Sequence, residues 1–167
     1  MPIEYTKQEI VRPIKARFII FSLIVALLLN QQSLPGIVSL LCPDFLALVI
    51  LYWNIYHSKQ FGMGAAFSMG LLMDVSEANV LGQHAMAYSV MIFFVSTLCQ
   101  RFQMFRLPEQ IFQIGLLLLA AESLILLIKL LNGAQFQDWN FFFASLIGAL
   151  FWPLLVFFLR KLSSGAH

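Results

Sequence analysis

Charge is what this sequence has least of. Only 11% of its 167 residues are Asp, Glu, Lys or Arg, 60% are hydrophobic, and the mean hydropathy is +0.85. A soluble domain carries about a quarter charged residues. A chain of this length cannot hide so much apolar surface in its own core, so its solvent is lipid. All of 1–167 reads as a single integral membrane domain. The formal charge of +2 is too small to argue for nucleic acid. Cysteine is nearly absent: Cys42 and Cys99 have no CxxC partners, which argues against a structural zinc site and leaves two small apolar residues. His57, His84 and His167 fall at different depths, so they make no metal site. HExxH, a Gly-rich phosphate loop beside a Lys, and a Ser/His/Asp set at one depth are all missing. Neither catalytic machinery nor a cofactor is expected, and no internal repeat is evident.

What is present is a series of apolar runs. Residues 1–17 mix Lys7, Arg12, Lys15 and Arg17 with Ile10, Val11 and Ile14, as a basic segment on the cytoplasmic membrane surface would. Spans are expected at about 18–33, 44–56, 61–75, 82–99, 111–131 and 140–159, an all-α polytopic protein of about six transmembrane helices. The first run leads into Asn30-Gln31-Gln32 rather than a small-residue cleavage site, so it reads as an uncleaved span. Residues 33–43, with two prolines and a glycine, are either an external loop or a short interfacial helix. The run 44–56 is only about 20 Å long as a helix, and 61–75 is also short. Joined by the polar turn 57–60, the two are expected to form a helical hairpin, thinning the bilayer or lying partly shielded by protein. Residues 100–109 read as a polar loop broken at Pro108, and 132–140 as another. Trp53, Trp139 and Trp152 lie near span ends, as interfacial anchors would, and the 17 Phe read mostly as lipid-facing or packing surface.

Lysine and arginine fix the orientation. With six spans, the N-terminus, the Lys59 turn, the Arg101/Arg106 loop and the Arg160-Lys161 tail share one side and hold every Lys and Arg except Lys129. The opposite side holds Asp44, Asp74, Glu77 and Asp138. By the positive-inside rule both termini are cytoplasmic.

The stretch 62–83 is the expected organiser of the fold, with the other segments packed around it. On a helix, Gly62, Ala66, Gly70 and Asp74 fall on one face, three small residues and then a carboxylate. Small residues at this spacing let helices approach closely, and an acid beside hydrocarbon needs a reason. Asp74 falls at a helix C-terminus, where the dipole disfavours an anion. It therefore requires a partner: His84, Gln83 or backbone amides in the turn 77–82. Structural locking of that turn and binding of a ligand or partner both fit. Asp44 reads as an N-cap, with a functional role as the alternative, and it shares a helix face with Leu48, Tyr52 and Tyr56. Glu122 is the one carboxylate deep in a span and reads as an interior residue hydrogen-bonded to another helix. Lys129, seven residues on, is about 10 Å away by helix rise, too far for a direct pair.

Taken together, these features resemble one family. Pro43-Asp44 opens a span ending near Tyr52-Trp53. Gly62-x-Gly64 leads through Gly70-Leu71-Leu72-Met73-Asp74 to Leu81-Gly82, and a late Trp152-Pro153 precedes a basic tail. In order and spacing, over nearly the full length, this is similar to MreD, the rod shape-determining membrane protein. Glu122 and Lys129 match no motif of that family. The resemblance implies a non-enzymatic component of the cell-elongation machinery in the bacterial inner membrane, acting on peptidoglycan synthesis and rod shape. It implies as partners the bitopic periplasmic protein MreC, the glycosyltransferase RodA with its class B penicillin-binding transpeptidase, and indirectly the actin-like MreB. Membrane lipids and a second copy of the chain are further candidate partners. It also implies a fold similar to the substrate-binding S components of energy-coupling-factor transporters, which keeps a small-molecule-binding S component as the alternative function. The residues expected to lock the structure or meet a partner are Asp44, Tyr52, Gly62, Ala66, Gly70, Asp74, Gly82, His84 and Glu122.

Overall fold

Apolar runs with little polar interruption form helices here, a conformation in which each segment satisfies its own backbone hydrogen bonds. The computed structural model describes residues 16–32, 42–57, 61–78, 80–104, 107–133 and 141–164, without the side chains of 98–108, 141 and 164. Residues 1–15, 33–41, 58–60 and 134–140, with Lys59, Asp138 and Trp139, lie outside that description, as do the side chains of Cys99, Arg101 and Arg106. Among the described residues are six α-helices: α1 Ala16–Asn30, α2 Phe45–His57, α3 Met63–Ser76, α4 Gln83–Met104, α5 Leu107–Leu131 and α6 Phe141–Ser164. Two stretches, Glu109–Leu131 in α5 and Phe142–Ser163 in α6, are long and apolar enough to cross a membrane; α1, α2 and α3 are shorter apolar helices.

The centre of the bundle is α2, not the 62–83 stretch. Its sequence FLALVILYWNIYH is apolar all round, and every residue from Leu46 to Ile55 is buried. A helix with no polar face is one that other helices surround. Packing of α2 against α1, α4 and α6 shields it, so its 13 residues need not reach both surfaces of a bilayer. Polar side chains tie it in: Trp53 Nε1 donates to Ser22 Oγ of α1 at 2.8 Å, and Ser96 of α4 donates to Asn54 Oδ1 at 3.3 Å. Asn54 Nδ2 also donates to the Phe61 carbonyl at 3.2 Å, closing the passage from α2 to α3.

The hairpin expected between α2 and α3 forms instead between α3 and α4. Gly70 is the reason. A Cβ added there would lie 2.4 Å from the Ala85 Cα and 2.6 Å from its nitrogen, so the two backbones touch and only glycine fits. Three further expectations need correction. Trp53 and Trp152 are fully buried rather than interfacial, because their indole N–H groups find partners inside the bundle. The polar segment 100–109 is mostly helix: α4 runs to Met104 and α5 starts at Leu107, with Pro108 in its first turn, where a proline costs no hydrogen bond. Gly62 is exposed, with nothing within 4 Å of an added Cβ; it precedes α3 as its N-cap and takes no part in the packed stripe.

Candidate functional site

Helix α3 ends at Ser76, and the chain reverses through Ala78, in the left-handed region at φ 52°, and Gly82 at φ 102°. Such a φ suits glycine at position 82. Glycine has no side chain with which to cap the helix that follows, and Asp74 supplies the cap from the preceding helix. Its Oδ2 accepts from Gly82 N at 2.8 Å and, at the long limit of 3.5 Å, from Ala85 N. Its Oδ1 accepts from His84 N at 3.0 Å and lies 2.8 Å from His84 Nδ1. Asp74 is fully buried. The carboxylate at the unfavourable C-terminus of α3 is therefore also at the favourable N-terminus of α4, where free amides and the dipole welcome an anion.

From this carboxylate a polar chain crosses the end of the bundle. The His84 ring stands edge-on to Tyr88 at 5.8 Å, one helical turn on, and its Nε2 is 4.0 Å from Glu77. Tyr88 OH donates to Asp44 Oδ2 at 2.6 Å. Asp44 Oδ1 accepts from Ala47 N at 2.9 Å, the N-cap bond of α2, and from Asn30 Nδ2 at 2.7 Å. Asn30 Oδ1 in turn accepts from Phe45 N at 3.0 Å. Side chains from α3, α4, α2 and α1 thus interlock at one end, with both carboxylates serving backbone amides and neighbouring side chains. Just outside the bundle here, burial and the nearby Asp44 charge push the Cys42 thiol above its ordinary pKa.

The sequence placed Asp74, Gly82 and His84 together and foresaw Asp44 as a cap; it did not foresee that Asn30 and Tyr88 join them. Tyr88 lies four residues after His84, so a shared helix face was the available signal. Of the three alternatives for the partner of Asp74, His84 and the turn amides are taken up, while Gln83 has its Nε2 3.4 Å from His84 Nδ1 and its Oε1 buried without a partner among the described residues. Ala66 is fully buried on the stripe below Gly70.

Tyr52 belongs to the opposite end. It is buried with its ring 5.1 Å from both Trp53 and Tyr56. There Gln110 of α5 accepts from Tyr56 OH at 3.2 Å and from Trp152 Nε1 at 3.3 Å. Gln110 was invisible as a site residue because it fell between the presumed loop 100–109 and the span expected from 111. Glu122 is half-buried on α5 near Ser145 of α6. Ser145 is the interhelical neighbour of its carboxyl, although among the described residues neither Glu122 Oε2 nor Ser145 Oγ makes a hydrogen bond of ordinary geometry. Among the described residues no group of three or more His, Cys, Asp or Glu is placed to hold a metal ion.

Comparison with known proteins gives this arrangement a context. The chain matches the family described as rod shape-determining protein MreD over residues 12–162. It is 24% identical over 139 residues to the rod shape-determining protein MreD of Haemophilus influenzae, a match covering 83% of this chain and 86% of that relative. No solved structure matches. With the matched segment taking in all of the six helices but the last two residues of α6, the chain belongs to the MreD family of rod shape-determining proteins.

Proposed function

We propose that this protein is a non-enzymatic, multi-pass scaffold of the bacterial inner membrane, with both termini cytoplasmic, that captures the bitopic protein MreC. Through MreC it works with RodA, its class B transpeptidase and, indirectly, MreB in controlling peptidoglycan synthesis. The observation that carries the reading is the interlock at the Asp74 end. Fully buried, the Asp74 carboxylate spends its acceptor capacity on Gly82, His84 and Ala85, and Asp44 spends its own on Ala47, Asn30 and Tyr88. A substrate site would aim polar groups at a ligand; these polar groups are aimed at the fold. What they hold still is an outer surface of large exposed apolar residues, among them Phe21, Leu72, Leu81, Phe93 and Phe112, suited to lipid and to other helices. The distribution of Lys and Arg supports the orientation, which puts the Asp74 end on the periplasmic side.

Copurification tests the reading. The detergent-solubilised protein should retain MreC through size exclusion while failing to bind any vitamin tightly. Tight vitamin binding without MreC capture would replace the scaffold with the transporter S-component reading.

A further inference from the structure

At the end of the bundle opposite Asp74, one cation is held in a fixed place. Arg160 of α6 is exposed, and its guanidinium carbon stands 4.7 Å from the centroid of the Tyr56 ring. That ring is itself anchored: its hydroxyl bonds Gln110 Oε1 at 3.2 Å, the oxygen that also accepts from Trp152 Nε1 at 3.3 Å. Gln110 is 4% exposed and Trp152 fully buried, so the platform under Arg160 is rooted where α2, α5 and α6 meet. An arginine that only solvates itself at a helix end needs no such seat. Attraction to the ring does not use up the N–H donors of the planar guanidinium fork, which are left for an acceptor of matching shape; phosphate is one. Among the described residues no carboxylate forms a salt bridge with it. Phe157 and Pro153, one and two turns earlier on the same side of α6, add apolar surface running away from the charge. Phe157 is 70% exposed.

A charged fork above an exposed apolar strip has the outline of a lipid with an anionic head. We propose that Arg160, seated on Tyr56, is a binding point for the phosphate of an anionic lipid, whose acyl chain lies along Phe157 and Pro153. The inference rests on the membrane-spanning reading above, which puts this end of α6 at the headgroup level. The ligand chemistry is a lipid phosphate, either a diester such as phosphatidylglycerol or a monoester such as phosphatidic acid.

The test uses the full-length protein in a neutral detergent, with native mass spectrometry reading the retention of phosphatidylglycerol, phosphatidic acid and phosphatidylcholine. Retention of one or both anionic lipids over phosphatidylcholine is expected, and Arg160→Gln should weaken it about tenfold or more, the scale of a hydrogen-bonded charge. Tyr56→Phe, which keeps the ring, should retain most of the binding. Arg17→Gln removes another exposed charge and should change it less than twofold, as expected of an unorganised surface charge. Preference for the diester would identify bulk phospholipid as the ligand, and preference for the monoester a terminal phosphate; either result supports the site. Equal losses in Arg160→Gln and Arg17→Gln, or equal retention of phosphatidylcholine, would overturn it. Capture of MreC by Arg160→Gln should be intact, so failure of the scaffold reading and failure of this one are distinguishable.

Discussion

Asp74 shows how one residue can join two helices. Its carboxylate takes three bonds of 2.8 to 3.0 Å from Gly82 and His84, all in a fully buried place. In Asp74→Ala these donors lose their acceptor, and each buried group left unpaired costs about 1–3 kcal/mol. Asp74→Asn keeps one carbonyl oxygen and should lose less. Thermal unfolding in detergent should therefore rank wild type above Asn and Asn above Ala, with MreC capture falling only as the folded fraction falls. A stable Asp74→Ala protein that no longer holds MreC would mean that the charge faces a partner. The sequence made Asp74 conspicuous because an anion at a helix C-terminus demands an explanation. Glu122 was conspicuous for the same kind of reason, yet among the described residues its Oε2 has no hydrogen bond of ordinary geometry; an acid within an apolar run is conspicuous whatever it meets.

Among the elements, α3 and α4 are joined by backbone approach, and the glycines divide accordingly. At Gly70 an added Cβ would meet Ala85 Cα at 2.4 Å, whereas at Gly64 it would meet nothing within 4 Å. Gly70→Ala must push two backbones apart, and overpacking of this kind costs about 1–3 kcal/mol. Gly64→Ala should instead be neutral or slightly stabilising, since Gly64 lies in the first turn of α3, where only part of alanine's helix-interior advantage over glycine, up to about 1 kcal/mol, is felt. Melting temperature and expression level should fall in Gly70→Ala and hold or rise in Gly64→Ala. Equal behaviour would mean that the contact with Ala85 does not exist. The spacing of small residues announced a packing face but not which helix would use it. Chain order suggested α2, and what decided for α4 was the small Ala85 meeting Gly70. The central place of α2 was legible in principle: thirteen residues without a polar face are too short to span and too apolar to stand outside. The reversal of Trp53 and Trp152 was not, because a tryptophan near a helix end looks the same whether its N–H meets water or Ser22 and Gln110.

On the scale of the whole molecule, the two ends of the bundle are built differently, and topology gives that difference its meaning. One end gathers Asn30, Asp44, Asp74, Glu77, His84 and Tyr88; the other gathers Tyr56, Gln110, Trp152 and Arg160. If both termini are cytoplasmic, the acidic end faces the periplasm, where the extracytoplasmic part of a bitopic partner would be. Cys42, two residues before Asp44, is a native reporter of that end. It is free and partly exposed, and burial and then Asp44 hold its thiol above the ordinary pKa. A raised thiol pKa means less thiolate at neutral pH, so a membrane-impermeant maleimide should label Cys42 slowly there and faster as pH rises. Asp44→Asn removes one of the two causes and should speed labelling at a given pH. In spheroplasts of a Cys99→Ala variant, labelling from outside is expected before lysis. Labelling only after lysis, with the same protein reactive once solubilised, would invert the bundle, putting the acidic interlock in the cytoplasm and leaving the periplasmic capture of MreC without its surface.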